Sequence, residues 1–293
     1  MKAIEESELI LTEKNRLYHI NLNNDEIADT VIVVGDQNRV SAISKYFSKI
    51  ELKSEHREFV AHTGYFNNKR ITVLSTGIGT DNIDIVLNEL DAAVNIDPNT
   101  RTIKENKRQL NIIRLGTSGA LQPYINVNDI VISTHGIGLD GLLNFYKIND
   151  DIYCHDISQA FIRHTGWTNT LPYPYCVAGS ETLINRFKKL HNSHLGITAT
   201  APGFYGPQGR QLRLSAAIPD LNDKLTSFDM NGLKITNFEM ETSALYGLGK
   251  ALGHQCVTAC VIIANRIIKQ FTKNYHESVE KLISATLDIL SEK

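Results

Sequence analysis

The chain has 293 residues, 42% of them hydrophobic and 21% charged, with a formal net charge of -2, which suits one α/β domain with a full core. So small a net charge argues against nucleic acid or an acidic membrane as the partner of the whole molecule, and any anion site must be a local cluster. The acidic start, residues 1–8, leads into no long apolar run, so the expectation is a cytoplasmic protein without signal or membrane span.

Short apolar runs ending in glycine recur along the chain. Val31-Ile32-Val33-Val34 ends at Gly35, and Ile71-Thr72-Val73-Leu74 runs into Ser75-Thr76-Gly77. Ile83, Val86, Leu87, Leu90 and Val94 then repeat at helical spacing. The polar stretch 97–109 reads as a surface insertion rather than a boundary. Ile112-Ile113-Arg114-Leu115 stops at Gly116, and Ile130-Val131-Ile132 leads to Gly136. Leu183, Ile184, Phe187 and Leu190 form a helical face after an N-cap at Ser180, with His191 and His194 expected on its solvated side.

A helix over 241–252 should stop at Gly253, and residues 257–264 form another apolar strand. Val279, Leu282, Ile283, Thr286 and Leu290 give a final amphipathic helix. The strands have the composition of strands covered on both faces. Their alternation with helices predicts an α/β fold with a largely parallel or mixed sheet, in a single domain over residues 1–293. The four cysteines, Cys154, Cys176, Cys256 and Cys260, lack further ligands at metal-site spacing and read as buried, reduced thiols.

In open α/β sheets, ligands gather beyond the carboxyl ends of strands. Here those ends carry Gly35-Asp36-Gln37-Asn38-Arg39 and Arg114-Leu115-Gly116-Thr117-Ser118-Gly119. Glycine lets the backbone approach an anion, and arginine grips its oxygens in pairs. The segment from Gly35 to Arg39 does not follow the dinucleotide pattern G-x-G-x-x-G. Arg114, inside an apolar strand, must meet either a bound anion or a protein carboxylate.

These segments resemble the uridine phosphorylases, a branch of the nucleoside phosphorylase family. The likeness is carried by Gly35-Asp36-x-x-Arg39-Val40, Glu55-His56-Arg57-Glu58-Phe59, Ser75-Thr76-Gly77-Ile78-Gly79 and Arg114 to Pro123. Residues 125–131, Phe204-Tyr205-Gly206-Pro207-Gln208-Gly209-Arg210, Phe238-Glu239-Met240-Glu241-Thr242 and Asn265-Arg266 continue it in order. The resemblance implies a central mixed sheet with a distorted barrel flanked by helices. It implies that Gly35, Arg39, Arg114, Gly116 and Thr117 hold phosphate, with Arg57 supplied by a neighbouring subunit. Met240 and Glu241 would hold the ribose, His19 would reach its 5′ end from the neighbour, and Phe204, Gln208, Arg210 and Arg266 would form the base pocket. Arg114, Arg210, Gln208 and Glu241 would be the catalytic set. Inorganic phosphate is then a co-substrate, no other cofactor is expected, and the enzyme is a homo-oligomer of at least two subunits with shared sites.

The chemistry of the residues agrees with those roles. Arginines orient the attacking phosphate, and donors at the departing base stabilise its negative charge. The amide of Gln208 can accept from the N3–H of uracil while donating to a carbonyl, and Arg210 can only donate, which suits O4. Cytosine reverses both demands. Thymine differs by a methyl group, so thymine nucleosides stay open. Asn82 stands where a serine of a monovalent-cation site would be, so no metal is expected. A purine nucleoside phosphorylase would need an aspartate near Ile263-Ala264-Asn265, and a nucleoside hydrolase would need no arginine trio. A non-catalytic nucleoside-binding protein would lack a phosphate arginine.

Overall fold

A computed structural model describes residues 2–292. β1 (Thr30–Val34) is buried at every position, because each of its faces meets a different apolar layer. Val31 and Val33 join one core cluster, and Ile32 and Val34 join another. A helix, α1 (Gln37–Ser44), follows; Asp36 caps it by accepting from the Asn38 N–H. β2 (Lys49–His56), β3 (Phe59–Phe66) and β4 (Lys69–Ser75) form an antiparallel meander. α2 (Thr80–Asn95) and the short pair β5 (Ile96–Asp97) and β6 (Thr102–Ile103) come next. β7 (Asn111–Ala120) and β8 (Ile130–Gly138) are the long strands at the centre.

The second half adds α3 (His155–Thr165), β9 (Tyr175–Ala178), α4 (Glu181–Phe187) and β10 (Ser193–Thr200). It continues with α5 (Leu221–Ser227), β11 (Asp229–Met230), β12 (Leu233–Glu239) and α6 (Thr242–Ala251). It ends with β13 (Gln255–Asn265), β14 (Gln270–Phe271) and α7 (His276–Ser291).

The main sheet runs β11-β12-β10-β8-β13-β7-β1-β4-β3-β2. Its first part closes on itself, because β12 also pairs antiparallel with β7, Asn237 opposite Ala120 and Phe238 opposite Gly119. Five strands, β12, β10, β8, β13 and β7, therefore make a barrel, and β1, β4, β3 and β2 extend from β7 as an open wing. Parallel and antiparallel pairings are mixed, as expected from the sequence. The register of β13 against β7 shifts between Ile262 and Ala264, the local irregularity that lets a strand bend at such a corner. Apolar faces of α2 and α6 pack on one layer, and those of α1, α4 and α7 on the other.

The glycine-ended strands and the helices lie where the sequence placed them, with local corrections. Ser180 caps α4 by accepting from the Leu183 N–H, but the helix stops at Phe187. His191 falls in the turn that follows, and His194 lies on β10, half-buried, with its Nε2 3.0 Å from the Asp129 carboxylate. The apolar residues at 183–190 mimic a longer helix, and the chain instead turns at Asn192 with φ of 52°. Glu241 stands at the N-cap position of α6 rather than inside it. The four cysteines are free thiols, Cys154 only half-buried and the other three buried. Residues 97–109 clasp the N-terminal segment rather than loop freely. Arg101 donates to the carbonyls of Ile4 and Glu5, at 2.7 and 3.0 Å, and Arg108 pairs with Asp29 at 2.6 Å.

No helix among the described residues is long and apolar enough to cross a membrane.

The barrel seam depends on a buried amide. Asn237 donates to Ser118 Oγ at 2.9 Å and accepts from Thr198 and Thr236 hydroxyls at 2.7 and 3.1 Å. Asn237→Ala strands these groups without partners, so unfolding in urea should show a loss of roughly 2–3 kcal/mol. A loss below half a kcal/mol would show that the seam does not need the amide.

Candidate active site

Arg114 lies on β7, paired with Val33 of β1 on one side and Thr258 of β13 on the other. It is 5% exposed, and two carboxylates from the β12–α6 junction meet it, Glu239 and Glu241, each 4% exposed. Arg114 Nη1 lies 3.2 Å from Glu239 Oε2, and Nη2 donates to Glu241 Oε2. Nη1 also reaches Cys260 Sγ at 3.3 Å. Burial by itself lowers the Arg114 pKa, but Glu241, Glu239 and Cys260 together push it up. Burial pushes the Cys260 thiol up to about 11 against the pull of Arg114. The alternatives left open for Arg114 by the sequence are thus resolved for the ligand-free protein: its partners are carboxylates.

Gly116 owes its identity to this arrangement. A Cβ there would stand 2.3 Å from Arg114 Nη1 and 2.9 Å from Cys260 Sγ. Gly35 is similarly pressed, its would-be Cβ 3.3 Å from the carbonyl of Gly77. Arg39, half-buried on α1, donates from Nη1 to the Leu115 carbonyl at 3.1 Å. Its pKa is lowered by burial, raised by Asp36 and lowered again by Arg114. Both arginines, with Gly35, Gly116 and Thr117, line one cavity of about 710 Å³.

The same cavity is lined by Met240, Glu241, Phe204, Gln208, Arg210 and Arg266. Gln208 sits in the short 3-10 turn Gly206–Gln208 and is buried. Its Oε1 accepts from Arg210 Nη1 at 2.6 Å, and the same nitrogen reaches the Phe204 carbonyl at 2.6 Å. That locks the amide with its oxygen towards Arg210 and leaves its NH2 free to donate. The Arg210 guanidinium lies 3.7 Å over the Phe204 ring, so a base stacking on Phe204 would use the other face. Burial, with Arg266 nearby, pulls the Arg210 pKa down to about 10. Among the described residues Arg266 Nη1 is buried without a hydrogen-bond partner.

Two expected residues lie elsewhere. Arg57 occupies the tip of the β2–β3 hairpin with φ of 55°, the sign that a two-residue hairpin turn demands at its first position. Its guanidinium contacts the Tyr18 hydroxyl at 3.3 Å. His19 is fixed by Glu89, which accepts from its ring at 2.6 Å and from the amides of His19 and Ile20. Neither lines the cavity of its own chain.

The residue whose part the sequence did not reveal is Glu239, which entered only within the Phe238-Glu239-Met240-Glu241-Thr242 match. Glu239 takes the amides of Glu241 and Thr242, each at 3.0 Å, and the Thr200 hydroxyl at 2.7 Å. The Gly79 amide, donating to Glu241 Oε1 at 2.8 Å, was likewise unforeseen. The signal for both was the pair of glutamates flanking Met240 opposite a strand arginine. Among the described residues no group of three or more His, Cys, Asp or Glu side chains is placed to hold a metal ion.

The sequence model of the Phosphorylase superfamily matches residues 29–291. The chain belongs to that family. It is 30% identical to the uridine phosphorylase of Thermococcus kodakarensis over 291 residues, covering 96% of this chain and 89% of that one. It is 30% identical to the uridine phosphorylase of Haemophilus influenzae over 279 residues, or 92% and 96% of the two chains. A Trypanosoma brucei nucleoside phosphorylase, whose crystal structure is reported to show uridine phosphorylase activity, superposes with a TM-score of 0.86. That protein is 29% identical, over 96% of this chain and 99% of its own. The family membership and barrel architecture that the sequence resemblance implied are those found.

Gly116→Ala forces the new methyl group into Arg114, so sulfate, used as a tetrahedral anion, should bind at least tenfold more weakly by calorimetry, about 1.4 kcal/mol. An unchanged affinity would show that Arg114 has no part in anion binding.

Proposed function

We propose that this protein is a uridine phosphorylase, a pentosyltransferase that uses inorganic phosphate to convert uridine to uracil and ribose 1-phosphate in pyrimidine salvage. One observation carries the reading: two anion-gripping arginines, a carboxylate suited to ribose hydroxyls and an amide–arginine pair suited to uracil line a single cavity.

In that reading Arg39 and Arg114, with the backbone at Gly35 and Gly116 and the Thr117 hydroxyl, hold the phosphate for attack on C1′. Glu241 accepts from the 2′- and 3′-hydroxyls, and Met240 packs on the sugar. As the phosphate oxygen bonds to C1′, the bond from C1′ to N1 breaks and its electron pair leaves with the base. Gln208 and Arg210 donate to the uracil oxygens, where that charge gathers, and so favour the transition state over the ground state. The oxygen of Gln208 has a second lone pair for the N3–H, in addition to the one taken by Arg210. Arg266, with its unpartnered nitrogen, is the further donor. Cytosine would leave these groups facing the wrong partners, a heavier penalty than a misfit of shape.

A purine nucleoside phosphorylase would need an acid at the end of β13 to protonate the base, and no described cavity residue there is one. At the end of β13 the cavity is lined by Ile263 and Ala264, while Asn265 is spent on the fold, donating to the carbonyls of Gln122 and Ile125 at 2.9 and 2.7 Å.

The same proposal makes the enzyme a homo-oligomer, with the whole chain acting as one domain and Arg57 and His19 offered to a second copy. Its support is that both side chains lie away from the cavity of their own chain, His19 fixed by Glu89 and Arg57 exposed beside Tyr18. A cytoplasmic location, expected from the sequence, belongs to the same proposal. No cofactor beyond phosphate enters it.

An ultraviolet assay of uridine, cytidine and inosine should show cleavage of uridine alone, and only with phosphate. Phosphate-independent cleavage, or turnover of inosine in place of uridine, overturns the assignment. Arg210→Ala should lower kcat/KM for uridine by roughly 100-fold or more, on the scale of a lost donor to developing charge, with the melting temperature unchanged. Co-expressed Arg57→Ala and Arg114→Ala chains, each inactive alone, should recover about a quarter of the activity if sites are shared in random dimers. No recovery at all would place Arg57 in the site of its own chain.

A further inference from the structure

Glu239 and Glu241 share Arg114 but are held very differently. Glu239 is saturated with donors: the Thr200 hydroxyl at 2.7 Å, the amides of Glu241 and Thr242 at 3.0 Å, and Arg114 Nη1 at 3.2 Å. It also anchors the first turn of α6, so it cannot move without unravelling that turn. Among the described residues, Glu241 takes the Gly79 amide on one oxygen and Arg114 Nη2 on the other, beside the Glu239 carboxyl. An arginine has a fixed fork of donors, and here one prong faces the fixed carboxylate and the other the freer one.

We propose that Arg114 is an exchange point between the two substrates: phosphate takes the Nη2 prong from Glu241, and Glu241, so released, turns its freed oxygen to the ribose hydroxyls, with Glu239 as the positioning residue that holds Arg114 in place during the exchange. This deepens the uridine phosphorylase reading and rests on it. The physical reason is that neither partner can be left alone. A buried carboxylate that loses its cation must find other donors, and two sugar hydroxyls supply them. Burial already pushes the Glu241 carboxyl up; Arg114 opposes this and Glu239 adds to it. In the absence of phosphate the oxygen of Glu241 that would take the ribose is occupied, so nucleoside binds against the ion pair. With phosphate present that cost is gone. The two affinities are therefore coupled, and by linkage each ligand tightens the other by the same factor. Chemically, the arrangement discourages a nucleoside from settling where no nucleophile awaits it.

The test is calorimetric binding of uridine to the intact enzyme, with and without saturating sulfate, a tetrahedral dianion that cannot react. The dissociation constant for uridine should fall tenfold or more with sulfate. Equal or weaker binding in sulfate, in an enzyme that does cleave uridine with phosphate, overturns the exchange and leaves the function standing. An enzyme that neither binds nor cleaves uridine overturns the function as well. A direct contact between phosphate and ribose would also couple the two ligands, and Glu241→Gln separates the cases. Its amide forms no ion pair with Arg114, so the sulfate effect should shrink to less than threefold, whereas a full tenfold effect in this variant assigns the coupling to direct contact and rejects the exchange. Glu239→Gln keeps the shape but weakens the anchor, so the KM for phosphate should rise at least fivefold with a smaller change in kcat. Glu239→Gln with an unchanged KM for phosphate would remove Glu239 from the scheme.

Discussion

Everything in the site is arranged around one buried guanidinium. Arg114 lies in the core of β7, where a charge is costly, since removing an ion from water is repaid only by close, well-directed partners. Two glutamates at the end of β12 supply them. The ion triad thereby ties β7 to the β12–α6 junction, close to the place where those two strands meet to close the barrel. Such a triad is weak grounds for stability, because a well-packed apolar cluster would serve the fold as well. Its place in the lining of a cavity that holds further arginines fits the ligand role proposed for it.

Several local features follow from that single placement. Residue 116 must be glycine because the guanidinium fills the space beside its Cα. Cys260, on the neighbouring strand, is small enough to lie against Arg114 and has a sulfur that can accept from it. The Gly79 amide at the start of α2 is aimed at Glu241, which couples the end of the β4 loop to the same centre. The open wing, β1 to β4, brings a different element: the hairpin tip at Arg57 departs from ordinary backbone geometry for a residue other than glycine, a conformation that persists where the surroundings demand it.

What could be read from the sequence depended on how local the cause was. The strands were legible because β1, β4, β7 and β13 contain apolar runs covered on both faces, and the cap at Ser180 was legible because capping needs only neighbouring residues. The end of α4 was not. Leu190 has helical spacing but belongs to the turn into β10, and His194 went with it to a strand, where Asp129 meets it. For Arg114, an arginine in an apolar strand announced a partner, yet the choice between bound anion and protein carboxylate required knowing that β12 crosses to β7, a contact more than a hundred residues away in the chain. Glu239 was obscured for the same reason: an acidic residue before a helix has an adequate local explanation in the helix dipole, and only the folded barrel shows it facing Arg114.

The charge of the cavity connects both halves of the proposed reaction. Four arginines, Arg39, Arg114, Arg210 and Arg266, line it against three carboxylates, Asp36, Glu239 and Glu241. The pocket thus carries a small positive excess in a chain whose overall charge is slightly negative, so attraction for an anion comes from a local cluster rather than from the whole molecule. The arginines are also divided. Arg114 is matched to carboxylates inside the triad, and Arg39 has Asp36 nearby. Arg210 and Arg266, at the other end, face no carboxylate among the cavity residues, and burial lowers the pKa of both. An end that is short of negative charge is suited to a group that acquires negative charge only as a bond breaks. The neutral base gains little there, and the departing anion gains most, which is the difference on which catalysis depends.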